Sequence, residues 1–156
     1  MSETKKTFKS LNLIFIAFLS MQIFLGLILY FLRDMKIIDK VLLQFEFLPI
    51  IILVINTALI LFAKYVFTAR NKIDKKLSIE DKIEKYKSYS LIIIAVIDFN
   101  NVINILIYSF TGVPIYLLVA VLILILFIVY RPSEIKFADS SLSKTERSQF
   151  LKEHQL

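Results

Sequence analysis

Residues 96–104 read VIDFNNVIN, one carboxylate and three amides inside a run that is otherwise lipid-soluble. Asp98 is a group that could gain and lose a proton, or coordinate a cation together with amide oxygens. Asn100, Asn101 and Asn104 could hydrogen-bond to neighbouring helices. A carboxylate at the centre of a bilayer costs about 2.5–3.5 kcal/mol on the insertion scale, and an asparagine would serve if only a hydrogen bond were needed. Asp98 is therefore the first candidate for a functional residue.

On a helix turning about 100° per residue, Ser90, Asn101, Asn104 and Tyr108 fall in one narrow arc, with Asn100 and Asp98 on its flanks. Leu91, Ile92, Ala95, Val96, Phe99, Val102, Ile103 and Leu106 fill the other side. The polar arc must face protein or water, because an unpaired amide in hydrocarbon is costly. Other apolar runs carry matching groups. Counted from the basic end of each run, Gln22, Asn56 and Asp98 lie about 9–11 residues deep, roughly 14–17 Å of helix rise. The expectation is a midplane cluster of Asp98, Asn101, Asn104, Asn56 and Gln22, with Asn100, Tyr108, Gly26 and Lys64 as secondary members. Gly26 is the only glycine in any apolar run and would admit a close neighbour. Lys64 lies roughly 10 Å nearer the basic end by helix rise, and it reads as a side chain snorkelling to the interface.

The elements that must position these groups follow from composition. The chain has 156 residues, of which 58% are hydrophobic, with 14 Phe, 7 Tyr and two Gly; ordinary soluble domains are about 45–50% apolar. Four apolar runs, about 11–32, 47–67, 89–110 and 113–130, are each near the roughly 20 residues that cross a 30 Å hydrocarbon core. The prediction is a single all-α domain over 1–156. It is an integral membrane four-helix bundle of two transmembrane hairpins with a tail from 131 to 156. The last run has no polar residue between Tyr116 and Tyr130, so it is expected to be the most lipid-exposed. Aligning Pro49 with Pro114 matches nine of seventeen residues, which suggests a duplicated hairpin, although Ile/Leu-rich segments match cheaply.

Connections are short. Between the first two runs, Ile37, Ile38, Val41, Leu42 and Phe45 recur at helical spacing opposite charged residues, the pattern of an amphipathic helix in the interface plane. Pro49 suits the first turn of the second helix. Ser78 with Asp81 predicts a helix start near Ile79 that runs on into the bilayer, and Thr111-Gly112-Val113-Pro114 predicts a tight turn. Ser143 with Glu146 is a fuller capping box, opening a tail helix through about Lys152 that reads as solvated.

Basic residues number three before the first run, three between the first and second, eight from Lys64 to Lys87, and five in the tail. The positive-inside rule then places both termini in the cytoplasm, with the plasma (inner) membrane as the location. The 22-residue first run is longer than the roughly 7–15 residues of a cleavable signal and is expected to stay as an anchor. Attraction to an anionic leaflet accounts for the net charge of +6 without nucleic acid.

Without cysteine, and with His154 as the single histidine, thiolate sites and a bis-histidine haem are excluded. Asp98 alone supplies neither a nucleophile with a base nor a dyad. The chain is therefore not expected to be an enzyme or to hold a cofactor or metal. The leading expectation is an accessory, scaffold or regulatory subunit. It would pack through the polar face of the third span against a partner membrane protein, or against further copies of itself. The alternative is an oligomeric proton, cation or small-solute channel or transporter component using Asp98.

Overall fold

The computed structural model describes residues 3–35 and 47–154, and every regular element among them is helical. In order these are α1 (Glu3–Asp34), α2 (Leu48–Asn71), α3 (Ile79–Thr111), α4 (Pro114–Val129), α5 (Glu134–Ser141) and α6 (Lys144–His154). The amphipathic segment expected between the first two spans lies outside the described residues. Helices α1, α2 and α3 are long and apolar enough to cross a membrane, which marks the chain as a membrane-embedded protein. Helix α4 has 16 residues, about 24 Å. It turns by 69° into α5, and the bent pair makes a fourth candidate span.

Local chemistry sets the ends. Ser78 caps α3 by accepting a hydrogen bond from the Asp81 N–H at 3.1 Å and donating to the Asp81 carboxylate at 2.6 Å. At the other end Gly112 has φ 72° and donates its N–H to the Tyr108 carbonyl at 2.8 Å, a left-handed cap that glycine adopts without strain. The Arg33 guanidinium occupies the space that a Cβ at position 112 would need. Proline opens both α2 and α4, where its missing N–H removes no helical bond.

Helix α3 is the hub, packed by α1, α2 and α4. Half of its most apolar window is buried, against 22% for α2 and 11% for α1. The expectation that the fourth apolar run is the most lipid-exposed is corrected: Tyr116, Ala120, Ile123 and Phe127 of α4 form a buried stripe. Lack of polar groups does not send a helix to lipid, because association in lipid rests on fit, and this stripe fits α3. Between the helices lies a core that includes Phe15, Ala63, Ile94, Ile97, Ile123 and Phe127, with the rings of Phe15 and Phe127 stacked at 4.7 Å. The buried stripe of α2 includes Ile52, Asn56 and Ala63. It matches that of α4 only when the Pro49–Pro114 alignment is shifted by one residue, about 100° of helix. The identities therefore do not correspond to equivalent faces.

The tail is anchored rather than free: most of α6 is exposed, as expected, but Phe150 of α6 and one face of α5 are buried. Phe137, Ala138 and Leu142 from α5 and its exit, with Phe150 of α6, close over Phe8 and Leu11 of α1, Ile73, and Ile83 and Tyr86 of α3. Lys82, 0% exposed, donates to both Glu146 carboxylate oxygens at 2.8 and 3.0 Å. The same carboxylate accepts the Ser143 N–H at 2.8 Å, completing the capping box. The Lys82 ammonium, helped by the Ser143 N–H and hydroxyl, holds the Glu146 carboxyl down at about 2.

Candidate functional site

The polar arc of α3 is turned inward and meets two different helices. On one side Gln22 of α1 spans two partners: its Nε2 donates to Asp98 Oδ1 at 2.7 Å, and its Oε1 accepts from Asn101 Nδ2 at 2.6 Å. Asp98 and Asn101 are separated by one turn, so a single glutamine amide reaches both. On the other side Asn56 of α2 and Asn104 exchange amide hydrogen bonds at 3.1 and 2.8 Å. Asn104 also donates to the Asn100 carbonyl at 2.8 Å. All five principal residues and Asn100 are buried.

The cluster is split along the helix axis. Asn56, placed level with Asp98 by counting, pairs with Asn104, six residues on and about 9 Å farther along α3. The count failed because α2 continues beyond its apolar run to Asn71. Its last turn supplies a second rung: Arg70 Nη1 donates to Ser90 Oγ at 3.3 Å. Arg70 lies fourteen residues after Asn56 and Ser90 fourteen before Asn104. That equal spacing is the one sequence signal that reveals the antiparallel register.

Of the secondary residues, Tyr108 and Lys64 fall elsewhere, while Gly26 lies beside Gln22. The Tyr108 carbonyl accepts from Arg33 Nη1 at 2.7 Å, and its ring lies 4.9 Å from that guanidinium. The cation thus sits at the C-terminal end of the α3 dipole, away from the amides. Lys64 is exposed on α2 and takes no part in the cluster's hydrogen bonds. A Cβ on Gly26 would meet only Ile105 Cδ1, at an ordinary 3.8 Å, so close helix approach does not require glycine there.

Sequence reasoning passed over Arg70, which counted only as one of eight basic residues. It is 1% exposed and lies between the rings of Phe67 and Tyr86 at 4.7 and 5.0 Å, where the ring faces supply the negative potential that a carboxylate would otherwise provide. Its Nε has no hydrogen-bond partner among the described residues.

Among the described residues two further buried atoms lack partners, Asn100 Oδ1 and Asn101 Oδ1. Each unpaired buried acceptor costs about 1–3 kcal/mol. Asn101 also helps to line a cavity of about 370 Å³ between α1, α3 and α4. Gln22, Gly26 and Tyr30 lie on its α1 side and Leu117 and Val121 on its α4 side. The arrangement is an apolar cleft with amides at its base. Among the described residues, no group of three or more His, Cys, Asp or Glu could hold a metal ion. In comparisons with known proteins, no family model, curated protein or solved structure matches this chain.

Proposed function

We propose that the chain is an accessory or scaffold subunit of a membrane assembly, docked against a partner membrane protein at the cleft between α1, α3 and α4. The observation that carries this reading is Asn101, whose Oδ1 is buried without a partner while its side chain lines that cleft. A partner helix bearing a hydroxyl or amide donor would satisfy the oxygen, and its apolar side chains would fill the space between Leu27 and Val121. The rest of the polar face of α3 is covered by α1 and α2, so this cleft is where that face is offered to a neighbour. The end of the molecule that carries most of the Lys and Arg is assigned to the cytoplasm by the positive-inside rule. This reading has both termini inside, makes α4 the fourth crossing of a bundle of two hairpins with α5 beyond its inner end, and sets the protein in the plasma (inner) membrane.

The cysteine-free sequence makes the test direct. Single cysteines at Leu27 and Val121 should trap a partner with a short cross-linker in native membranes, and cysteines at Leu61 and Tyr65, exposed on α2, should not. Asn101→Leu should abolish trapping while helix content is retained. Equal trapping from both faces would refute the assignment, and trapping of a second copy alone would make the partner the chain itself.

A second reading, a proton or cation path through Asp98, draws on the Gln22 bridge that links this carboxylate to Asn101 at the cleft. Labelling of cysteines at 97, 101 and 104 by membrane-impermeant thiol reagents would favour it, and complete protection would favour docking.

A further inference from the structure

A second cavity, about 300 Å³, lies at the basic end of the α1–α4 seam. Lys5, Lys9 and Asn12 of α1 face Arg131, Ser133 and Glu134 at the α4–α5 corner across it, with Phe8 also in its wall. Its level follows from the sequence: Leu11 begins the apolar run of α1, and Tyr130 ends that of α4. The cavity therefore sits where hydrocarbon gives way to headgroups.

Arg131 is already oriented. Its Nε and Nη2 donate to Asn12 Oδ1 at 3.1 and 2.9 Å, and its guanidinium lies 5.9 Å from the centre of the Phe15 ring. Nη1 is left for another acceptor. Such a fixed fork has lost its rotamer freedom before a ligand arrives. The cavity wall carries Lys9 and Arg131 against Glu134. Behind it Lys136 donates to the Val129 and Arg131 carbonyls at 2.8 and 3.0 Å. The ion pairs among the described residues join Lys82 to Glu146 and Arg147 to Asp139, and neither neutralises Arg70, Arg131 or Lys136.

Apolar surface continues directly from the cavity. Leu13 and Ile16 of α1 are 70% and 46% exposed, and Ile128 and Val129 of α4 are 50% and 61% exposed. A free phosphate would leave that surface unused, whereas a lipid would cover it with its acyl chains.

We propose that this cavity seats the phosphate of an anionic membrane phospholipid, held by Arg131 and Lys9, with the acyl chains lying along the exposed flanks of α1 and α4. Lys5 adds positive charge at the rim. Glu134 opposes the phosphate and limits the affinity. The site is independent of the docking cleft, because it shares no lining residue with it.

The full-length protein in detergent would be exchanged with a mixture of phosphatidylglycerol and phosphatidylcholine, and retained lipid counted by native mass spectrometry. One phosphatidylglycerol should be retained in preference to phosphatidylcholine. Arg131→Gln with Lys9→Gln should lower retention about tenfold or more. Lys144→Gln with Lys152→Gln, an equal charge change at exposed positions of α6, should leave it unchanged, and Glu134→Gln should raise it. Lys9 is exposed, so Lys9→Gln alone gives a weakened-retention test should Arg131→Gln impair folding. Equal losses in the cavity and α6 pairs would reduce the effect to net charge and overturn the proposal. Displacement of the lipid by millimolar inorganic phosphate would show a free-phosphate site and overturn the lipid assignment; resistance to it supports the seat.

Discussion

The amide cluster inside the apolar helices and the aromatic knob at the basic end both bury polar groups, but they do so by opposite means. In the cluster, neutral amides and one carboxylate bridge helices side chain to side chain, and two acceptor oxygens stay unpaired. In the knob, full charges are buried: Arg70 lies against the rings of Phe67 and Tyr86, and Lys82 is paired with Glu146, while the rings of Phe8, Tyr86, Phe137 and Phe150 pack on one another. The difference follows from solvent. Lipid tails offer helices no hydrophobic driving force, so in the membrane the polar rungs choose register while contributing little stability. Where water is the alternative, burying aromatic rings is strongly favourable and can fold a tail of short helices.

The sharpest way to break this contrast is Phe137→Ala. The ring is 0% exposed and packs on Phe8, Tyr86 and Phe150, so its loss should cost about 3–5 kcal/mol, read from unfolding in mixed micelles. A loss under 1 kcal/mol would mean that the knob adds little to stability. Next, Glu146→Leu leaves the Lys82 ammonium buried without its partner and should cost about 3 kcal/mol, freeing α6 for proteolysis at Arg147. Lys82→Met should cost less, since Glu146 is 27% exposed and water can reach it. The Glu146 carboxyl is lowered from 4.5 to about 2 in the fold. The pair therefore stabilises above the unfolded value, and its contribution fades as pH falls from about 4.5 through about 2. Lys82→Met should flatten stability across that window.

Smaller effects are expected in the membrane. Gln22→Leu strands Asp98 and the Asn101 amide together and should cost about 1–3 kcal/mol. A double-mutant cycle with Asn56→Leu and Asn104→Leu should give a coupling near 0.6 kcal/mol; a value above about 2 would erase the distinction from the knob. Gly26→Ala should be nearly neutral, since its Cβ finds ordinary contact with Ile105, and any measured loss should appear in partner trapping rather than in stability.

Much was legible in the sequence because it depends on local rules. Run length and composition marked four apolar segments as spans, and three of them are helices long and apolar enough to cross a membrane; Ser78 and Gly112 marked the ends of α3, and the 3.6-residue period put Asn101 and Asn104 on one face. Depth was legible only in part. Gln22 and Asp98 meet, but Asn56 slid by nearly two turns, because composition marks where a run turns polar and not where a helix stops. Tyr108 shares the polar arc yet pairs with Arg33, since one helix face meets different neighbours along its length.

The sequence by itself determined that this is a membrane-embedded helical protein with a polar stripe on its third long helix, because hydropathy and period are properties of each segment alone. Only the tertiary structure decided which amide meets which, that the tail closes over α1 and α3, and that Arg70 is buried without a carboxylate among the described residues. Those outcomes depend on helix register and on contacts between distant residues. No local pattern records them.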